Sequence, residues 1–170
     1  MSTMEEQFEC MMKADPEPEH AWLGKLVGEW EYEVESPLQP GQTPVKLRGT
    51  ETVRAIGNIW IVAEGVGAMP DGSEARTQMT LGYDPRQKRF VGTWVGSMMT
   101  HMWIYQGELD AGKRILPLHA DGPLFEGVNE PGKFKDVIEL INDNERTLSG
   151  HMLGDDGQWQ RLMTAHYRRI

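Results

Sequence analysis

Residues 77–83 (TQMTLGY), 88–96 (KRFVGTWVG) and 100–110 (THMWIYQGELD) read as three consecutive strands, and this stretch decides the fold. Each segment is rich in β-branched and aromatic side chains. Asp84-Pro85 separates the first strand from the second, and Asp110-Ala111-Gly112 ends the third before a further strand that runs to His119. A long run of antiparallel hairpins has to close on itself to hide its edges and its apolar face. The expectation is therefore an all-β fold, an antiparallel up-and-down β-barrel of a size that holds one small ligand.

Pairing these strands sorts their side chains. With Met98-Met99 as one turn, Gly96 stands opposite His101, Trp94 opposite Trp103 and Gly92 opposite Tyr105. With Ala111-Gly112 as the next, Gly107 stands opposite Leu116 and Tyr105 opposite Leu118. One face then carries Phe90, Gly92, Trp94, Gly96, His101, Trp103, Tyr105, Leu116 and Leu118. The other carries Val91, Thr93, Val95, Ser97, Met102, Ile104, Gln106, Glu108, Ile115 and His119. The second set holds most of the polar residues, so the aromatic set is expected to face the lumen, with glycines leaving space beside the rings. Trp94, Trp103 and Tyr105 are the candidate apolar walls of a ligand site. His101 is its candidate polar contact at the rim, beside Met98-Met99 as an apolar loop or soft gate.

The same reading extends to the rest of the chain. Residues 1–13 read as a loose N-terminal segment, and 14–170 as a single barrel domain. After Pro16 and Pro18, Trp22, Leu23, Leu26 and Val27 share one helical face, with Gly28 as the stop. This short helix would lie over one mouth of the barrel. In GEWEYEVES (28–36), Glu29, Glu31, Glu33 and Glu35 alternate with Trp30, Tyr32 and Val34, so one face is wet and the other buried. SPLQPGQTP (36–44) reads as a loop. Strands follow near 45–56 and 59–68, then near 134–141, 147–153 and 158–169, for a total of about ten strands and one helix.

The 170 residues carry a net charge of −9, which argues against nucleic acid or an anionic membrane surface as partner. No apolar run approaches the roughly 20 residues needed to span a bilayer. The acidic start shows no signal peptide, and the single cysteine, Cys10, excludes an internal disulfide. A reducing cytoplasm is the expected location. Eleven methionines and six tryptophans suit an adaptable apolar cavity, or simply a filled core.

Gly28-x-Trp30 opening the first strand, with an arginine-rich last strand, resembles the calycins, the barrels of lipocalins and fatty-acid-binding proteins. That resemblance implies a cation from Arg168 or Arg169 over the Trp30 indole, in a structural role. A wider likeness runs from His20-x-x-Leu23-x-x-Leu26-x-Gly28-x-Trp30 through Gly82-Tyr83-Asp84, Thr93-Trp94 and Gly107-x-Leu109-Asp110. This pattern resembles the bacterial family of unknown function DUF1579, which implies a calycin-like barrel and no particular activity. His166 in MTAHYRRI also sits where the nitrobindin family holds haem iron, although LVGEWEYEV keeps only part of that family's N-terminal glycine motif.

No histidine pair stands at metal-ligand spacing, and neither a nucleophile elbow nor a phosphate-binding loop follows a strand. No metal or cofactor is therefore expected. The leading expectation is a binder of a small apolar molecule. The alternatives are an enzyme pairing Glu64, within the apolar strand IVAEGVG, with His101; haem on His166; and a homodimer joined through Val91, Val95, Met102 and Ile104. His20 reads as a surface or capping residue, and His151 as a strand residue with a satisfied ring.

Overall fold

A computed structural model describes residues 1–35, 45–124 and 130–170. Ten strands follow two short helices: α1 (Met4–Met12), α2 (Pro18–Gly24), β1 (Gly28–Glu35), β2 (Lys46–Ile56), β3 (Trp60–Ala68), β4 (Glu74–Asp84), β5 (Arg89–Gly96), β6 (Trp103–Gly107), β7 (Ile115–Pro123), β8 (Pro131–Asn142), β9 (Glu145–Leu153) and β10 (Trp159–Arg169). Each strand pairs antiparallel with its chain neighbours, and β1 pairs with β10 to close the barrel. The loop expected at 36–44 and the irregular stretch around Gly127 lie outside the described residues.

Alternation sets the two surfaces. Along β1, Trp30 is buried and Tyr32 and Val34 face inward, while Glu33 reaches Lys46 and Arg48 across the outer face at 3.1 and 3.0 Å. The expected wet and dry faces are both present.

The helix count differs from expectation. Residues 4–12 form a helix because Thr3 and Glu6 build a capping box, Glu6 N–H donating to Thr3 Oγ1 at 3.2 Å and Thr3 N–H to Glu6 Oε2 at 2.8 Å. None of its residues is buried. The second helix ends at Gly24 rather than Gly28. Gly28 instead starts β1 with a φ of +141°, and the Arg169 guanidinium occupies the space a Cβ would need.

The central register also moves. Trp94 faces Trp103 and Gly92 faces Tyr105 as expected, but the ladder stops there, leaving Ser97–Met102 as a wider loop. Gly107 faces Leu118, not Leu116, because the next turn spans Asp110–Lys113. Asp110 N–H donates to the Ile115 carbonyl at 2.9 Å, and the Asp110 carboxylate accepts from the Arg114 and Ile115 amides at 2.8 Å. A shift of two residues preserves the faces. Phe90, Tyr105, Leu116 and Leu118 are accordingly buried, whereas Met102, Ile104 and His119 are exposed.

Candidate functional site

The barrel has one filled half and one accessible half. At the filled end, α2 acts as a plug: Trp22, Leu23 and Leu26 are buried against a layer of Val53, Ile61, Leu81, Phe90, Leu116 and Ile138. Trp22 Nε1–H donates to the Lys113 carbonyl at 2.9 Å, and its ring meets Phe90 edge-on. His20 belongs to this plug and is buried, not on the surface. Its Nδ1 accepts from the Glu17 amide at 2.7 Å and its Nε2–H donates to the Tyr83 carbonyl at 3.0 Å, so it caps the helix and ties it to β4.

A stacked column stands beside the plug. Arg169 lies 4.2 Å from the Trp30 ring centroid. Arg146 lies 4.6 Å from the same ring and 3.8 Å from that of Tyr167. Of the two candidate arginines, Arg169 is thus the one over Trp30. It also donates to the carbonyls of Val27, Lys25 and Asp143 at 2.6, 2.9 and 3.0 Å, one bond from each of its three nitrogens. Arg146, 4% exposed, forms an ion pair with Glu51, which also accepts from the Tyr167 hydroxyl at 3.5 Å. Burial, followed by the Glu51 charge, pushes the Tyr167 hydroxyl well above its ordinary range. The cavity left beside Arg146 and Glu51 is about 20 Å³, enough for one water. Two shallow grooves of about 600 and 490 Å³ lie outside this end, both bordered by Asn142, Asn144 and the already committed Arg169.

The other half is different. Register and alternation point Tyr32, Val34, Thr77, Trp94, Trp103, Phe134, Leu148, Met152 and Met163 inward, yet all of them keep accessible surface. Inward-facing side chains that stay partly accessible make this the less tightly sealed half of the barrel. Where the two halves meet, the Tyr105 hydroxyl, 2% exposed, donates to Asp136 Oδ2. Burial pushes both groups upward. The Asp136 charge and hydrogen bond raise Tyr105 further, while the hydrogen bond from Tyr105 partly lowers Asp136. Asp136 nonetheless keeps some accessible surface, on a strand position that alternation turns inward.

The residues singled out from sequence fall in three layers: Tyr105 at the floor, Trp94 and Trp103 on the walls, His101 at the rim. The His101 Nε2–H donates to the Asp121 carbonyl at 3.1 Å, and its ring meets Trp103 edge-on at 4.8 Å. Trp103 Nε1–H donates to Met99 Sδ at 3.2 Å, so the Met98–Met99 loop is tied to the wall. The glycines do not leave empty space, as expected, but seat the rings: Trp103 lies over Gly122, Tyr32 over Gly49 and Gly67, and Trp94 over Gly96.

Two alternatives are overturned. Glu64 stands on the outer face, half-exposed and 3.6 Å from Arg54, because it follows the buried Ala63 in strict alternation. It forms no acid–base pair with His101. His166 is likewise exposed on the outer face of β10, between the buried Ala165 and Tyr167, and cannot hold a haem in the lumen. His151 Nε2 is 2.9 Å from Ser149 Oγ, a satisfied ring as expected. Among the described residues no three of His, Cys, Asp and Glu converge as metal ligands.

Asp136 and the Glu51–Arg146 pair were not anticipated. The alternation Phe134, Asp136, Ile138, Leu140 carried a signal, an acid in phase with three apolar residues on a buried face. Arg146 and Glu51 are far apart in sequence, and only barrel closure brings them together.

Residues 15–169 match the model of the family described as protein of unknown function (DUF1579), and the chain belongs to that family. No curated protein matches it. Among solved structures, Rv2717c from M. tuberculosis is similar at 15% identity and a TM-score of 0.65, over 92% of this chain and 99% of that one. The S-type phycobiliprotein lyase CPES from Guillardia theta is similar at 11% identity and a TM-score of 0.56, over 89% and 92%. At these identities the likeness concerns the fold alone. No helix among the described residues is long and apolar enough to cross a membrane.

Proposed function

We propose that this DUF1579 barrel binds one small, largely apolar molecule in its open half. Trp94, Trp103 and Tyr105 supply the apolar walls and floor, and His101 a polar contact at the rim. One observation carries this reading: inward side chains are sealed at the α2 end and accessible at the other, so apolar surface is left for a guest to cover. The barrel is of calycin type, and its setting is the cytoplasm. A phycobiliprotein lyase of similar fold is a precedent for such a barrel acting on a partner molecule.

The test is the mass of the purified protein under native and denaturing conditions, followed by titration of an apolar fluorophore into the emptied barrel. Extra mass lost on denaturation, or saturable fluorophore binding weakened about tenfold or more by Trp103→Ala, is the expected result. A bare mass together with no saturable binding overturns it.

A second reading rests on the outer strip of β5, the loop after it and β6, where Val95, Met102 and Ile104 are exposed, Ile104 by 63%, and Val91 is half-buried. This strip suits a homodimer contact. Light scattering would then give twice the chain mass, and Ile104→Glu would return a monomer.

A further inference from the structure

Resting on the lumen reading above, we propose that the molecule bound there is an amine, held with its ammonium on Asp136 and its apolar body against the rings of Trp103 and Phe134.

Among the described residues the Asp136 carboxylate has no ion-pair partner and takes one hydrogen bond, from the Tyr105 hydroxyl on Oδ2. Its other oxygen, Oδ1, borders the space above Gly150, where a Cβ would lie 3.3 Å from Oδ1 and 3.3 Å from the Met163 side chain. A carboxylate oxygen without a donor among the described residues therefore lies beside Gly150, and the flexible Met163 side chain gives way for a guest to reach it. The ring pair stands one step towards the mouth, since Trp103 and Phe134 precede Tyr105 and Asp136 by two residues on the same faces and meet edge-on at 4.9 Å. Small residues on the intervening β7, Ala120 and Gly122, let side chains of β6 and β8 meet across it. A carboxylate below two aromatic rings fits an ammonium headed by a hydrophobic body.

The rival is a carboxylate ligand on Arg146. Arg146 is neutralised by Glu51 and covered by the rings of Trp30 and Tyr167; its Nε is buried without a partner among the described residues, but the space it adjoins has room for a single water. An acid would also have to enter past Asp136 in a chain of net charge −9. A neutral apolar guest would cover Oδ1 without a partner, which costs affinity.

Isothermal titration of the full chain at pH 7 with 2-(1-naphthyl)ethylamine, 2-(1-naphthyl)ethanol and 1-naphthylacetate separates the cases. The amine should bind about tenfold or more tighter than the alcohol, and the acetate should not saturate. Asp136→Asn should erase the preference for the amine and leave the alcohol within about twofold. If that variant does not fold, the wild-type ranking of the three head groups decides. Equal binding of amine and alcohol, or tightest binding of the acetate, overturns the amine assignment and leaves the lumen reading standing. No binding by any of the three, nor by the apolar fluorophore, overturns both.

Discussion

Replacing Arg146 by Met would remove the centre of the stacked column and leave Glu51 inside the barrel without its partner. The guanidinium is 4% exposed, and the Glu51 side chain 12%. Breaking one side of a buried ion pair costs about 3–5 kcal/mol, because the remaining charge stays enclosed. Loss of the Trp30 and Tyr167 faces adds roughly 0.5–1 kcal/mol each where the methionine stem does not replace them. The expected loss is about 4–7 kcal/mol. With a urea m-value of about 2 kcal/mol/M, the unfolding midpoint falls by about 2–3.5 M. Tryptophan fluorescence follows the transition directly, since Trp30 is in the column. The double variant Arg146→Met, Glu51→Leu should recover most of the loss, because a well-packed apolar pair replaces two desolvated charges at little net cost. A coupling of at least about 2 kcal/mol in the double-mutant cycle is therefore expected. If Arg146→Met costs under about 1 kcal/mol, or if the double variant is as unstable as the sum of the single ones, the ion pair is not the element that holds the floor.

Three further outcomes follow from the same geometry. Burial raises the Asp136 carboxyl, so the folded protein holds this proton more tightly than the unfolded chain. The resulting stability is fully present below about pH 4 and is lost as pH rises through the folded value. Urea midpoints taken from pH 4 upward should therefore decline in wild type relative to Asp136→Asn, and parallel profiles would contradict the burial. Gly28→Ala should lower stability by about 1–3 kcal/mol, since φ is +141° and the Arg169 guanidinium fills the Cβ position; a thermal melt measures it. Removing residues 1–13 should change the unfolding free energy from urea titration by no more than about 0.5 kcal/mol, because no residue of α1 is buried.

What could be read from the residues was whatever has a short period. Alternation alone placed Glu29, Glu31, Glu33 and Glu35 outside and Trp30, Tyr32 and Val34 inside. It also set the correct faces of β5, β6 and β7 even though one turn was misjudged by two residues. That error was harmless for a physical reason: a strand's side chains repeat every two residues, so an even slip moves contacts along the barrel but never turns a face. The capping box at Thr3-x-x-Glu6 is equally local and marks α1 despite the acidic, unpacked character of the segment. The site itself resists such reading because its parts meet only on closure. Tyr105 and Asp136 are on strands separated by β7, and Glu51 and Arg146 on strands from opposite ends of the chain. Alternation could place each of these four side chains inward, but only the shear of the closed barrel decides which acid meets which partner. Glu51 meets a guanidinium and is neutralised. Asp136 meets a phenol, which leaves one of its oxygens without a donor among the described residues. That difference, invisible in the spacing of either residue, makes one acid part of the floor and leaves the other available to a guest.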